Sequence, residues 1–580
     1  MRAPPPDHPA GRSSRPRPVT DAPARIPDSK VFQLAALLDG SGALDLINGE
    51  LSGRPGPAGL APRTVLTGLL LSVHYTGKAT LAEAWRILTF SLSPTAQGRL
   101  GIKPGETAGP RARLALSRRV YRAFDRVTTA LDVARCDRRR RLPLDEAATF
   151  AAAWEDNDPE HMRKRAVLQQ ICTALITNTI RIARRCGALK HWRGDVGIDA
   201  TALASWHKPP STKRNLASVD LTAGWHFSGG SNEPTFGLSG HLALAAASRP
   251  HSGRDAQIAL GLVVDYPGVR TGPNAITLLT PLTRLQLPAG TLAVDRLYTD
   301  ARPETFALPA RKLGYRLALD YKQDQRGIQG SHRGAVMIDG TLTCPHVPPA
   351  LANATHRLDD KTARRPDDLT KTQINNRKPY FLHLKQGPDE GGAIRLACPA
   401  TGTSPTVNCP RRPPARTPPR TIDLTDPRQT QAHPAARPTV TIPPHAAGSP
   451  PDICRQHSIT IHPGDLGTMD KFRQDLPYLT DTWRDTFKVV RAQNEGINGI
   501  LKGHKVDISE PKNRLAHGRV AQTLLVTLMI TIANLAILDA FCQTTRGEHL
   551  PATAYEELPL TPPDRSAARP IGRLPPGTPR

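Results

Sequence analysis

Acidic residues are scarce in this chain: 51 Asp and Glu stand against 77 Lys and Arg over 580 residues, a formal charge of +26 and an isoelectric point near 10.2. Such an excess costs self-repulsion in a free protein, and a polyanion relieves it. Nucleic acid is the first partner to expect. A GC-rich coding bias explains the preference for Arg over Lys, but not the excess of base over acid. Residues 1–27 lack the apolar core of an export signal and are rich in Pro and Arg, so a cytoplasmic location is expected. An uninterrupted membrane span is lacking too. The most apolar run, residues 523–541, carries Thr523, Thr527, Thr531, Asn534 and Asp539. Its hydroxyl and amide groups need partners that lipid does not offer, so a buried core helix is expected and no membrane contact. Paired Cys-x2-Cys knuckles are missing as well. Without an export signal, the eight cysteines read as reduced thiols, metal ligands or both.

The length suggests two to four folding units. Residues 1–27 form a basic arm expected to be disordered, and residues 546–580 form a tail of similar composition. Residues 28–190 have helical spacing. Within them, residues 64–75 and 81–88 flank the turn-like Thr76-Gly77-Lys78 and resemble a helix-turn-helix in spacing, and the run Arg138-Arg139-Arg140-Arg141 suits phosphate contact or a solvated loop. From residue 191 to 322 the pattern becomes three strands (196–203, 241–247, 258–265), then helix 274–285, strand 291–295, helix 303–313 and strand 315–320. That order predicts a mixed α/β sheet and fits a ribonuclease-H-like layout. Residues 323–475 read as a β-containing insertion with a hairpin at Asp339-Gly340, strands near 380–384, 394–398 and 458–461, and a Pro-rich stretch, 399–451, expected to be loop. Residues 476–545 resume the regular pattern and complete the domain begun at residue 191.

Asp199 lies inside the apolar strand Val196-Gly197-Ile198-Asp199-Ala200-Thr201, on the face opposite Ile198. A charge there is costly unless something pairs with it, and a metal ion is the simplest partner. Asp295 follows Leu292-Ala293-Val294 at the carboxyl end of another strand, where ligand sites of open α/β sheets gather. Asp195, Asp300 and Asp320 are the nearest substitutes. The third element is a helix expected over residues 486–505. At about 100° per residue, Arg491, Glu495, Asn498 and Lys502 share one stripe with Lys488 at its edge, while Val490, Ile497 and Leu501 form a second, apolar stripe. Any solvated amphipathic helix shows such a pair of stripes. Three carboxylates suit two Mg²⁺ or Mn²⁺ ions about 4 Å apart acting on a phosphodiester, with Arg491 and Lys502 holding the DNA backbone.

These motifs resemble the DDE-class transposases of bacterial insertion sequences, in the branch with a β-rich insertion between the second Asp and the Glu. The resemblance rests on Gly197-Ile198-Asp199-Ala200-Thr201, on Val294-Asp295-Arg296-Leu297-Tyr298 and on Arg491-x3-Glu495-x6-Lys502. It covers residues 190–322 and 479–541, with 96 residues between the aspartates and 200 from Asp295 to Glu495. It implies a ribonuclease-H-like fold, Mg²⁺-dependent cleavage at transposon ends, strand transfer by the freed 3′-hydroxyl, double-stranded DNA as partner and a homodimer on paired ends. Asp199, Asp295 and Glu495 would be catalytic metal ligands, Arg491 and Lys502 DNA contacts, and Tyr298 a supporting aromatic. The family's usual Tyr three residues before the Arg is Lys488 here, which can touch phosphate but cannot stack on a base. A decayed, DNA-binding copy and a nuclease without strand transfer are the competing readings.

Cys344, Cys398, Cys409 and Cys454 fall inside the insertion, near His346 and His457. They could hold a structural Zn²⁺ where little core is available. Their irregular spacing is equally that of unrelated thiols. Cys136, Cys172, Cys186 and Cys542 lie in helical stretches and read as packing residues.

Overall fold

The computed structural model describes residues 24–53, 59–134, 141–227, 233–247, 255–402, 404–412, 436–444, 448–503 and 505–555. Residues 1–23, Cys136, Arg138–Arg140, the greater part of the Pro-rich stretch and the tail beyond Tyr555 lie outside the described residues.

The amino-terminal segment is helical, and local chemistry sets several of the boundaries. Thr80 caps the Leu81–Arg86 helix by accepting from the Glu83 N–H at 3.4 Å. Ser93 caps Pro94–Arg99, with Pro at the first position, where no N–H is needed. Asp158 caps Pro159–Arg185 by accepting from Glu160 and His161 N–H at 3.0 and 3.1 Å. The two segments resembling a helix-turn-helix form as Pro62–Thr76 and Leu81–Arg86, joined through Gly77 in the left-handed conformation. Thr64 to Val73 are buried without a break, so the first helix of the pair is spent in the core.

Six strands build one sheet: β1 (Val196–Ala204), β2 (Gly224–His226), β3 (Thr235–Ala245), β4 (Ala259–Asp265), β5 (Thr291–Val294) and β6 (Arg316–Leu319). β3 runs antiparallel to β1, and β2 and β4 both pair with β3, on its other side from β1. β5 runs parallel to β1, and β6 parallel to β5. The Thr271–Arg284 helix connects β4 to β5, and the Ala307–Lys312 helix precedes β6. The α/β mixed sheet expected from the sequence is therefore present. β3 begins six residues earlier than the expected 241, and β2 was not anticipated.

The apolar run near the carboxyl end forms the Gly518–Arg546 helix, long and apolar enough to cross a membrane but mostly buried within the protein. It packs on Pro159–Arg185, Pro62–Thr76 and β4. Its polar side chains find partners inside the fold. Thr523, Thr527 and Thr531 each donate to the carbonyl four residues back at 2.7–2.8 Å. The Asn534 amide accepts from Ala259 N–H at 2.9 Å and donates to Ala259 O and Thr179 Oγ1 at 2.8 Å, clamping the start of β4. One hydrophobic core runs from Ile26 to Tyr555 and includes the helical segment and the sheet. Each fully buried Leu, Ile or Val in it contributes roughly 1.5–3 kcal/mol of transfer free energy.

Among its described residues the insertion contains two three-stranded sheets. Ile328–His332, Ala335–Ile338 and Thr341–Thr343 form one. Asp339 (φ 46°) and Gly340 (φ 77°) make the tight turn in it, as the Asp-Gly pair predicts. His383–Gln386, Ile394–Ala397 and Ser458–Ile461 form the other. Asp339 is also a buried node, accepting from Gly327 N–H and Thr355 Oγ1 and pairing with Arg377 at 2.7 Å.

Candidate active site

Backbone register brings the two aspartates together. Ile198 of β1 pairs with Val294 of β5 in the parallel ladder, and the next residue on each strand is the aspartate. Asp199 and Asp295 thus leave the carboxyl ends of the paired segments side by side, with neighbouring strands separated by roughly 5 Å. Asp295 also caps the short Arg296–Thr299 helix, accepting from Leu297 N–H at 3.0 Å. Burial, and next the charge of Asp199, push its carboxyl up to about 6. Like charges this close favour sharing a proton or a cation.

The helix over this pair is Asp481–Leu501, capped by Thr480. It begins five residues earlier than the expected 486 and stops four residues short of the expected 505. Val490, Ile497 and Leu501 are buried as the apolar stripe requires. Gly197 permits the close docking: a Cβ there would lie 2.1 Å from Asn494 Oδ1 and 2.2 Å from its Nδ2. With the helix that close, Arg491 NH1 stands 3.3 Å from Asp199 Oδ1 and Asn498 Nδ2 donates to Asp199 Oδ2 at 2.9 Å. Burial works against the Arg491 charge, yet Asp199, Asp295 and Glu495 together hold its guanidinium above the ordinary value. Arg491 is the cation that balances the carboxylates in this arrangement.

Glu495 is exposed, one turn from Arg491 and from Asn498, and its charge adds to those that favour the Arg491 guanidinium. Among the described residues, no group of three or more His, Cys, Asp or Glu side chains is arranged to hold a metal ion. Lys488 is exposed on the same helix. Lys502 is not on the helix, as the stripe expects, but at its carboxyl cap (φ −114°, ψ 16°), bridged to Asp507. The helix has two glycines, Gly496 and Gly499, in its last two turns, which weaken it there, and the chain turns back after Leu501.

Beneath the aspartates, Tyr298 is fully buried and its hydroxyl meets His241 Nδ1 at 2.8 Å. Burial, followed by Asp295 and Asp199, raises the Tyr298 hydroxyl well above its usual range. Burial lowers His241 to about 4, helped by His226 and Arg519, so the pair is neutral at physiological pH. His241 on β3 is opposite Ala200 of β1. It sits in an apolar strand without a motif, so no signal in the sequence marks it. Asn494 was missed too. It is fully buried and neither amide atom has a hydrogen-bond partner among the described residues.

The substitute carboxylates have structural roles. Asp195 Oδ1 accepts from Thr291 N–H at 2.7 Å, joining the beginnings of β1 and β5. Asp320 pairs with Arg296 at 2.9 Å and accepts from Tyr478 Oη at 2.8 Å. Asp300 pairs with Lys322 and accepts from Gln325 Nε2 at 2.6 Å. Asp265, at the end of β4, is occupied by Arg270, Asn274 and Arg519. Comparison with protein-family models, curated proteins and solved structures finds no match for the chain.

Proposed function

We propose that this chain is a DNA transposase of the DDE class, with a ribonuclease-H-like catalytic fold, cleaving phosphodiesters at insertion-sequence ends and joining the freed 3′-hydroxyl to target DNA. The observation that carries this reading is the adjacency of Asp199, inside β1, and Asp295, just after β5, where the parallel pairing of the two strands stops, beneath the helix that bears Arg491, Glu495 and Asn498. The order of four strands in antiparallel pairing, β1 to β4, followed by the two parallel strands β5 and β6 supports the fold.

The donor set fits a divalent cation. Two like-charged oxygen donors stand together, one of them pushed up to about 6, and Asn498 Oδ1 has no hydrogen-bond partner among the described residues. Asp199, Asp295 and Glu495 would hold Mg²⁺ or Mn²⁺, hard ions suited to carboxylate oxygen. When bound, two such ions activate a hydroxyl nucleophile and neutralise phosphoryl charge. The residues of the chain do the rest. Asn498 fixes one oxygen of Asp199. Arg491 is free to turn its fork from Asp199 to a phosphate once the carboxylates are otherwise balanced. The neutral Tyr298–His241 pair closes the floor of the site to water. Lys488 and Lys502 add point charges for the backbone of double-stranded DNA.

A DNA-binding protein with lost chemistry is the second reading. It is favoured by the outward Glu495 and by the ion pair that Arg491 makes with Asp199. Incubation with Mg²⁺ and the DNA flanking this gene separates the readings. The transposase cleaves at the ends and yields joined products, a nuclease without strand transfer only nicks, and a binder leaves the DNA intact.

A further inference from the structure

Three of the four cysteines in the insertion open the same local structure. Cys344-Pro345-His346-Val347, Cys398-Pro399-Ala400-Thr401 and Cys409-Pro410-Arg411-Arg412 are tight turns. In each, the N–H of the fourth residue donates to the Cys carbonyl, at 3.2, 3.0 and 2.8 Å respectively. Proline at the second position presets φ for this turn. In the first two turns the N–H of the third residue is also aimed at the cysteine sulfur, from His346 to Cys344 and from Ala400 to Cys398. A backbone N–H donated to sulfur stabilises a thiolate and offers an ordinary thiol little. The turns come from different places: the end of strand Thr341–Thr343, the end of strand Ile394–Ala397, and a loop.

The fourth cysteine arrives on the Asp452–Gln456 helix, and the backbone ties these segments together. Cys398 N–H donates to His457 O at 2.8 Å, while the Arg412 guanidinium bonds the Cys454 carbonyl and meets His457 Nε2 at 2.7 Å. Each of the four thiols lies within electrostatic reach of the other three. Cys344 and Cys398 are buried, at 5% and 6% exposure. Around them are two small apolar clusters, one centred on Met337, Ile453, Ile459 and Ile461, the other on Tyr380, Val407 and Val440. Cores of that size are too small to hold a segment of about 150 residues, a situation in which small folds use metals or cross-links.

We propose that Cys344, Cys398, Cys409 and Cys454 bind one zinc ion as four thiolates, a structural site that closes the insertion. Zinc takes four sulfurs at about 2.3 Å in tetrahedral array. No three of the four sulfurs are gathered at metal-binding distance in the structure. Binding therefore draws the turns together and couples to ordering of the segment. Zinc binds thiolates and not thiols, so loading releases protons and weakens in acid. Cys172, Cys186 and Cys542 lie in or at the ends of the helices of the main core and start no such turn. They are not ligands.

The test uses the full chain without DNA, so its outcome is independent of the catalytic reading. Elemental analysis of protein purified under reducing conditions should find about one zinc per chain. A thiol-modifying reagent should release it, and cobalt(II) in its place should give the visible absorption of a tetrahedral thiolate site. Cys398→Ser with Cys409→Ser should lose at least nine-tenths of the zinc, while Cys172→Ser and Asp199→Asn keep it. Zinc below half an equivalent with no cobalt–thiolate absorption from the unmodified chain would overturn the proposal, and so would disulfides among these four cysteines. Neither reading requires the double variant to fold.

Discussion

Asp295→Asn should make the metal-free protein more stable while removing its chemistry. Burial and the Asp199 charge raise the Asp295 carboxyl from 3.8 to about 6. The sign follows from linkage. A raised folded pKa means that the folded state holds the proton more tightly than the unfolded chain, so stability falls as pH rises from about 4 to 6 and the loss is complete above. At 1.36 kcal/mol per pKa unit, the ionised form costs about 3 kcal/mol at pH 7.5, an upper bound for a carboxyl that is not wholly out of water. Asparagine keeps the cap on Leu297 N–H and carries no charge, so the variant should gain about 1–3 kcal/mol at pH 7.5 in chelator. That gain should shrink by about half near pH 5 and vanish below pH 4. Urea unfolding of both proteins at the three pH values measures it. Adding Mg²⁺ should stabilise the unmodified protein only. A variant less stable at pH 7.5, or a difference independent of pH, would refute the view that the two carboxylates strain each other.

Asp199→Asn and Glu495→Gln should each abolish DNA cleavage with DNA affinity largely kept. Asp320→Asn, which loses its ties to Arg296 and Tyr478, should lower stability by about 1–3 kcal/mol yet leave cleavage measurable. A gel assay of cleavage beside a binding titration distinguishes them, and near-normal cutting by Asp199→Asn would show the wrong carboxylate was chosen. Gly197→Ala places a methyl carbon against the buried Asn494 amide and should cost about 1–3 kcal/mol. Adding Asn494→Ala should recover most of that in thermal unfolding, and no recovery would mean that the helix does not dock where Gly197 allows it. DNA affinity should fall by orders of magnitude between 50 and 200 mM salt if many phosphates are contacted. A flat response in a fluorescence titration would argue against that footprint.

The elements visible in the sequence were those with local signals. The Asp339-Gly340 turn, the apolar strands 196–203 and 258–265 and the stripe of Val490, Ile497 and Leu501 all correspond to observed elements. What was hidden depends on neighbours distant in sequence. The first half of β3 holds Gly237 and Gly240, which weaken any strand pattern. Gly237 is needed because a Cβ there would lie 2.1 Å from the Leu203 carbonyl. The site helix begins at Asp481, since Trp483 and Phe487 stack and bury one face of its first turns. Lys502 left its stripe when the helix ended at Leu501. The His241–Tyr298 contact spans 57 residues, and no local spacing encodes it. The structural duties of Asp195, Asp300 and Asp320 appeared only with their partners in place.

The most direct test is Mn²⁺ located by anomalous scattering in crystals of the chain bound to its flanking DNA. Manganese should lie at about 2.0–2.3 Å from oxygens of both Asp199 and Asp295, with Glu495 turned in to complete the set and Arg491 on a phosphate. Manganese absent from that pair, or bound only at other carboxylates while the DNA is seated, would contradict it.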